Sequence, residues 1–166
     1  MNQEFMKTKP ILPLVMAMSL PMMLSMLINS LYNIVDSMFV ARLGEEALTA
    51  VSLVYPLQTL VTSVSVGFGV GINAAVAFFL GASQKERAQR AASLGLLLSF
   101  VHGILLSIGL VVALPVFLEL FAKEGATLSW GKEYGGIVLG FSAVMTVQIA
   151  FEKIYQSVGN MLVPTV

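Results

Sequence analysis

The sequence contains no cysteine, and only 11% of its 166 residues are charged. The missing thiols exclude disulfide bonds and thiolate chemistry. A soluble domain carries about 25% Asp, Glu, Lys and Arg to keep its surface hydrated, so this chain has less than half the usual charge. Its nine basic and nine acidic residues cancel, and this balance leaves no charge excess that would favour a nucleic-acid partner.

Apolar residues take the place of the missing charge. The chain is 57% hydrophobic, and its mean hydropathy is +0.89. A helix needs about 20 predominantly apolar residues to cross a bilayer. We therefore expect an all-α, polytopic membrane helix bundle in contact with the lipid bilayer. The predicted transmembrane helices cover residues 11–41, 47–80, 88–118 and 134–158.

The basic residues between these spans and at their ends predict the orientation of the chain. Along the successive flanking segments, Lys and Arg number 2, 1, 3 and 2. The positive-inside rule assigns the more basic segments to the cytoplasm. We expect a multi-pass protein of the cell (plasma or inner) membrane with a cytoplasmic N-terminus. The residues counted are Lys7 and Lys9, then Arg42, then Lys85, Arg87 and Arg90, and finally Lys123 and Lys132.

The first span contains one carboxylate, Asp36, within the apolar stretch LYNIVDSMFV. At about 100° per residue, it shares one helix face, roughly 60° wide, with other polar side chains. A helix surrounded by lipid does not carry such a stripe, so this face points into protein or a water-filled cavity. Hydrogen bonding that only holds helices together is the alternative, but the cost of a carboxylate favours a functional Asp36. The stripe comprises Ser25, Asn29, Tyr32, Asn33 and Asp36.

Polar residues in the second and fourth spans are further candidates for lining a cavity. For those of the second span, close helix packing is the favoured alternative. In the fourth span, Glu152 is either a cavity-facing acid across from Asp36 or part of a helix end at the membrane interface. The candidate cavity-lining residues are Asn29, Gln58, Thr62, Asn73, Gln148 and Glu152.

The sequence lacks the patterns typical of an enzyme. It has no His, Cys or carboxylate spacing for a catalytic metal, no nucleophile paired with a base and no phosphate-binding loop. We therefore expect neither a catalytic activity nor a bound cofactor.

Two stretches of the sequence resemble a known family. SLPMMLSMLINSLYNIVDSMFVARLGEEALTAVSLVYPLQ, followed by GVGINAAVAFFLGASQKERAQRAA, is similar to the opening of multidrug and toxic compound extrusion (MATE) transporters. The similarity continues to EKIYQSVGN near residue 160 and covers nearly the whole chain. Ala41 departs from the pattern, because the family often has Gly at this position.

The resemblance implies a fold of twelve helices in two pseudo-symmetric lobes of six. Residues 1–166 would then form part of the N-terminal lobe, with the remaining helices of the full-length transporter as partners. MATE transporters exchange H⁺ or Na⁺ for organic cations and other drugs by alternating access.

The resemblance also suggests roles for individual residues. Asp36 matches the cation- or proton-binding carboxylate of the N-terminal lobe, and Na⁺ is the metal that it could hold. Tyr32 matches a tyrosine that lines the same cavity in some members. We expect Tyr32 and Asn33 to bind the cation or proton together with Asp36, and Tyr32 or Asn33 to donate a hydrogen bond to the Asp36 carboxylate. Pro21 matches a proline at which the first helix can bend.

Two other functions remain open at this point. A flippase for lipid-linked oligosaccharides would need Arg or Lys in its cavity to bind pyrophosphate. Apart from Arg90 at the start of the third span, the sequence places only Lys153 within a span, near its end. A small four-helix membrane assembly subunit would leave the polar helix faces unpaired.

Overall fold

A computed structural model describes residues 10–122 and 125–161 as helices joined by short turns. Three of these helices are long and apolar enough to cross a bilayer, and the last two form a bent pair that would make a fourth span. The all-α membrane fold is thus confirmed. Lys7, Lys9 and Lys123, which entered the count of basic residues, lie outside the described residues. The helices are α1 (Ile11–Ala41), α2 (Glu45–Gly81), α3 (Lys85–Glu119), α4 (Ala126–Gly140) and α5 (Ser142–Ser157).

The bounds of α1, α2 and α3 lie close to the predicted spans, but the fourth span differs. The sequence predicts one helix over residues 134–158. In the structure the helix begins at Ala126 and is interrupted after Gly140, where α4 and α5 meet at an angle of 42°. The glycine-containing segment before residue 134 is therefore helix and not a long connection.

Glycines explain how α4 packs closely against α3. A Cβ atom added at Gly135 would lie 2.8 Å from Leu114 Cδ2, and one at Gly131 would lie 3.1 Å from Leu118 Cδ1. The backbone of α4 therefore rests directly on two leucines of α3. Glycine costs about 1 kcal/mol in helix propensity, and the close approach of the helices offsets this cost.

The bend between α4 and α5 is stabilised by α3. The amide of Val144 would bond the carbonyl of Gly140 in a continuous helix, but here it donates to the carbonyl of Phe141. The hydroxyl of Ser107 donates to the freed Gly140 carbonyl at 2.7 Å. An unpaired carbonyl in the hydrocarbon region costs several kcal/mol, so this bond makes the bend possible inside a membrane.

The core lies where the bent pair packs against α2 and α3. One apolar cluster joins α2, α3 and α4, and a second joins α2, α3 and α5. Between the clusters, the buried hydroxyls of Ser65 and Thr146 share a hydrogen bond of 2.9 Å. The first cluster contains Val54, Leu57, Val61, Leu114, Leu118 and Leu139, and the second contains Ile72, Val76, Ala88 and Ala150.

Helix α1 stands apart from this core, because none of its residues is buried. Its contacts with the other helices are sparse and involve mainly α2. The helix continues through Pro21 without a break, so a bend at this residue stays a prediction. The position of α1 leaves open space between its polar face and the rest of the bundle.

The contact between α3 and α5 gives a test of this packing. A Cβ atom at Gly103 would lie 2.8 Å from the Cα atom of Ala143, whereas one at Gly109, on the same helix, would meet open space. We expect Gly103→Val to lower the free energy of unfolding by about 1–3 kcal/mol, because backbone atoms must shift. Gly109→Val is the matched control. Thermal unfolding midpoints in detergent provide the measurement, and equal midpoints for the two variants would contradict the packing described.

Candidate functional site

Among the described residues, two cavities lie between α1 and the other helices. The first, called the α4 cavity, has a volume of about 570 Å³ and lies between α1, α4 and the start of α2. The second, called the α5 cavity, has a volume of about 360 Å³ and lies between α1, α2 and α5. Asp36 lines the first and Asn29 lines the second. These residues are two helical turns apart on one face of α1, so part of the polar stripe faces these cavities.

The α4 cavity combines carboxylates with aromatic rings. Asp36 and Glu133 supply two acids, Trp130 and Tyr134 supply two rings, and the lining contains no Lys or Arg. Carboxylates and aromatic faces are the groups that bind organic cations. The apolar lining residues are Val40, Leu43, Ala47, Ala50, Val51 and Ile137.

Sequence reasoning missed three of these side chains as site residues. Trp130, Glu133 and Tyr134 were expected at or before the start of the fourth span, whereas the structure places them on α4. Their spacing of three and four residues is the helical signal that could have found them.

Asp36 has no partner in the described part of the chain. Its side chain is exposed to the cavity, and neither a hydrogen bond nor an ion pair reaches it from the described residues. The expected bonds from Tyr32 and Asn33 are not formed. Tyr32 is 71% exposed, and the amide of Asn33 donates to the backbone and side-chain oxygens of Asn29, each at 2.9 Å. Helical side chains lean toward the N-terminus, which explains why Asn33 bonds to Asn29 instead of Asp36.

No group of three His, Asp or Glu side chains within residues 10–122 and 125–161 could hold a metal ion. A Na⁺ ion at Asp36 would therefore need neutral oxygen ligands, such as carbonyl or hydroxyl groups, to complete its coordination.

The α5 cavity brings together four of the six candidate cavity-lining residues, namely Asn29, Thr62, Gln148 and Glu152. The other two candidates, Gln58 and Asn73, form hydrogen bonds between helices. Gln58 donates to the Tyr134 hydroxyl at 3.4 Å, and Asn73 donates to the backbone carbonyl of Lys153 at 3.0 Å. Their bonds agree with the packing alternative for the second span. Glu152 and Asp36 line different cavities, so the two acids do not face each other across one space.

The α5 cavity also contains a cation that the sequence placed near a helix end. The ammonium of Lys153 lies 3.1 Å from Glu152 Oε1 and 3.1 Å from Gln156 Oε1, and the Gln156 amide donates to Glu152 Oε1 at 2.7 Å. The Lys153 side chain is only 14% exposed. Its stem lies on α2, because a Cβ atom at Gly69 would be 2.8 Å from Lys153 Cγ.

Comparison with known proteins agrees with this architecture. A family model named MatE matches residues 21–166. The FAD transporter of Shewanella oneidensis is 29% identical over 116 residues, which are 69% of this chain and 26% of that protein. The probable multidrug resistance protein YoeA of Bacillus subtilis is 28% identical over 146 residues, which are 87% of this chain and 31% of that protein.

Solved structures show the same fold. A MOP superfamily transporter from Pyrococcus furiosus superposes with a TM-score of 0.87 at 28% identity, over 92% of this chain and 34% of that one. An outward-facing multidrug resistance MATE family transporter of the MOP superfamily gives the same values.

The chain spans about a third or less of the length of these relatives. The family model nevertheless matches all of this chain except its first 20 residues. The resemblance noted in the sequence is thereby confirmed. The chain belongs to the MatE family of membrane transporters.

Proposed function

We propose that this chain forms part of an antiporter that exports organic cations and drugs across the cell membrane in exchange for H⁺ or Na⁺. The observation that carries the proposal is the chemistry of the α4 cavity, where Asp36, which has no partner among the described residues, lies among aromatic and apolar side chains.

The cavity is suited to an organic cation in charge and in size. Its lining has two carboxylates and no basic side chain, so a bound cation would supply the missing counter-charge. Trp130 and Tyr134 add ring faces that attract ammonium groups. The volume of about 570 Å³ falls within the range of roughly 300–1,000 Å³ that is usual for pockets that bind small molecules.

Coupling follows from competition for one carboxylate. A proton or Na⁺ and a cationic drug cannot both neutralise Asp36, so binding of one favours release of the other. If α1 exposes Asp36 to each side of the membrane in turn, an inward gradient of the small ion drives the drug outward. The ion and the drug then need not contact each other, because they bind Asp36 in turn.

The relatives named above do not by themselves fix the substrate, since one is named for FAD and another for multidrug resistance. The charges of this chain favour a cation. The pyrophosphate of a dinucleotide would meet two carboxylates in the α4 cavity. Repulsion between these negative charges would disfavour its binding.

The flippase alternative is less favoured for a related reason. A pyrophosphate group needs an uncompensated Arg or Lys. Lys153 does line the α5 cavity, but it is paired with Glu152. The cavity therefore offers no net positive charge from this pair.

The exposed surface of α1 indicates where the rest of a transporter would pack. None of its residues is buried, and its polar stripe is open. We infer that further helices of the full-length transporter cover part of this surface and contribute ligands to Asp36. A four-helix assembly subunit would leave this stripe without a role, and the relatives named above are transporters.

The basic residues of the α2–α3 turn predict its location in the cytoplasm. Ser83 and Ser129 are exposed residues of the α2–α3 turn and of α4, and the chain has no native cysteine. We expect a membrane-impermeant thiol reagent added to intact cells to label Ser129→Cys but not Ser83→Cys. Permeabilised cells, in which both variants should react, provide the control. Labelling of Ser83→Cys alone in intact cells would show that the chain has the opposite orientation.

The role of Asp36 is tested by Asp36→Asn in the full-length protein encoded by the gene. Asn is nearly isosteric but cannot carry the charge, so we expect normal abundance and loss of ion-driven efflux. The measurement is ethidium transport in membrane vesicles under separate H⁺ and Na⁺ gradients. Glu119→Gln, which removes an exposed carboxylate that pairs with Lys132 on the surface, is the matched control. Transport at the wild-type rate by the Asn variant would refute the proposed mechanism.

A further inference from the structure

The pair of Glu152 and Lys153 is unusual because both residues line one cavity although they are neighbours in the chain. Successive residues of a helix point about 100° apart. Here the Lys153 side chain curves back, so that its ammonium lies between Glu152 and Gln156. A lysine near a helix end usually extends toward the membrane surface, whereas this one is held in the cavity by the contact of its stem with Gly69.

The pair adds little to the stability of the fold. An ion pair withdrawn from water is often no more stable than apolar residues in its place. The pair does change the charge of the cavity, because Lys153 neutralises a carboxylate that would otherwise be available to a ligand.

We propose that Glu152 is a second cation-binding site, for organic ammonium compounds, and that Lys153 is a tethered cation that occupies it when the cavity is empty. An arriving ammonium group displaces Lys153 from Glu152, and Lys153 returns when the ligand leaves. The inference rests on the proposed export of cations and assigns a specific site and competitor to it.

Gln156 lowers the cost of the displacement. Its Oε1 atom already accepts from the Lys153 ammonium at 3.1 Å. Lys153 therefore retains a hydrogen-bond acceptor after it leaves Glu152. The displaced ammonium thus keeps one hydrogen bond, while the arriving ammonium takes over the charge of Glu152.

The carboxylate is also the more accessible member of the pair. The side chain of Glu152 is 33% exposed and that of Lys153 is 14% exposed. Both bonds that reach Glu152 end on Oε1, and within the described residues no hydrogen bond reaches Oε2. A ligand can therefore contact Oε2 before Lys153 moves, while Met22 and Met26 line the cavity on the α1 side. Methionine side chains adapt to apolar groups of different shapes.

Competition by a tethered cation has a measurable consequence. A ligand binds only the molecules in which Glu152 is free, so its apparent Kd is the intrinsic Kd divided by the free fraction. If Lys153 occupies Glu152 in about nine-tenths of the molecules, its removal tightens binding about tenfold. A lysine that only stabilised the fold would have the opposite effect or none.

The test is equilibrium binding of ethidium to the purified full-length protein in nanodiscs at pH 8. All variants carry Asp36→Asn, so that binding at the α4 cavity does not contribute. We expect Lys153→Met to lower the Kd about tenfold, Lys153→Arg to restore the starting value and Glu152→Gln, added to Lys153→Met, to abolish the gain. Lys132→Met, which removes an exposed lysine outside both cavities, is the matched control and should leave the Kd unchanged. Lys153→Gln keeps a polar side chain and provides the same test if the Met variant does not fold.

An unchanged or higher Kd for Lys153→Met or Lys153→Gln would overturn the inference, as would a gain that persists with Glu152→Gln. Absence of ethidium binding in every variant would also overturn it. These outcomes are distinct from failure of the proposed function, which is measured as efflux by the protein with Asp36 intact.

Discussion

The structure depends on the close approach of helices at glycine. Gly131 and Gly135 bring α4 onto the leucines of α3, and Gly103 brings α3 onto the backbone of α5. Helices in lipid gain little from the hydrophobic effect, since the surrounding tails are equally apolar, so packing contacts and hydrogen bonds must hold them together. The glycine contacts supply the packing, and the bond from Ser107 to Gly140 allows the fourth span to bend over both halves of the core.

This arrangement places the two cavities beside α1. The bend directs α4 and α5 along different parts of the polar stripe, so one half of the span contributes Glu133 and the other contributes Glu152. The helices that pack tightly form one wall of each cavity, and α1, which is not buried, forms the opposite wall. The two cavities therefore differ in charge. The α4 cavity has two acids, which form no ion pair within residues 10–122 and 125–161, whereas the α5 cavity has the neutral pair of Glu152 and Lys153.

The sequence predicted the helices better than it predicted the site. Hydrophobic length alone located α1, α2 and α3, because lipid imposes a simple requirement on composition. It failed before residue 134, where Gly131 suggests a connection, although tertiary packing against Leu118 makes this residue part of a helix. The polar stripe of α1 was visible from its spacing. The place of Lys153 was not, because the direction of its side chain depends on Gly69 of another helix.

Lys153 joins two helices through its backbone and lines the α5 cavity with its side chain. Asn73 donates to the backbone carbonyl of Lys153 and not to its side chain. The carbonyl therefore fastens α5 to α2, while the ammonium faces the cavity lined by Glu152. The atoms that support the scaffold are distinct from the atoms that meet a ligand, so this residue can change its partner in the cavity while the join between the two helices stays intact.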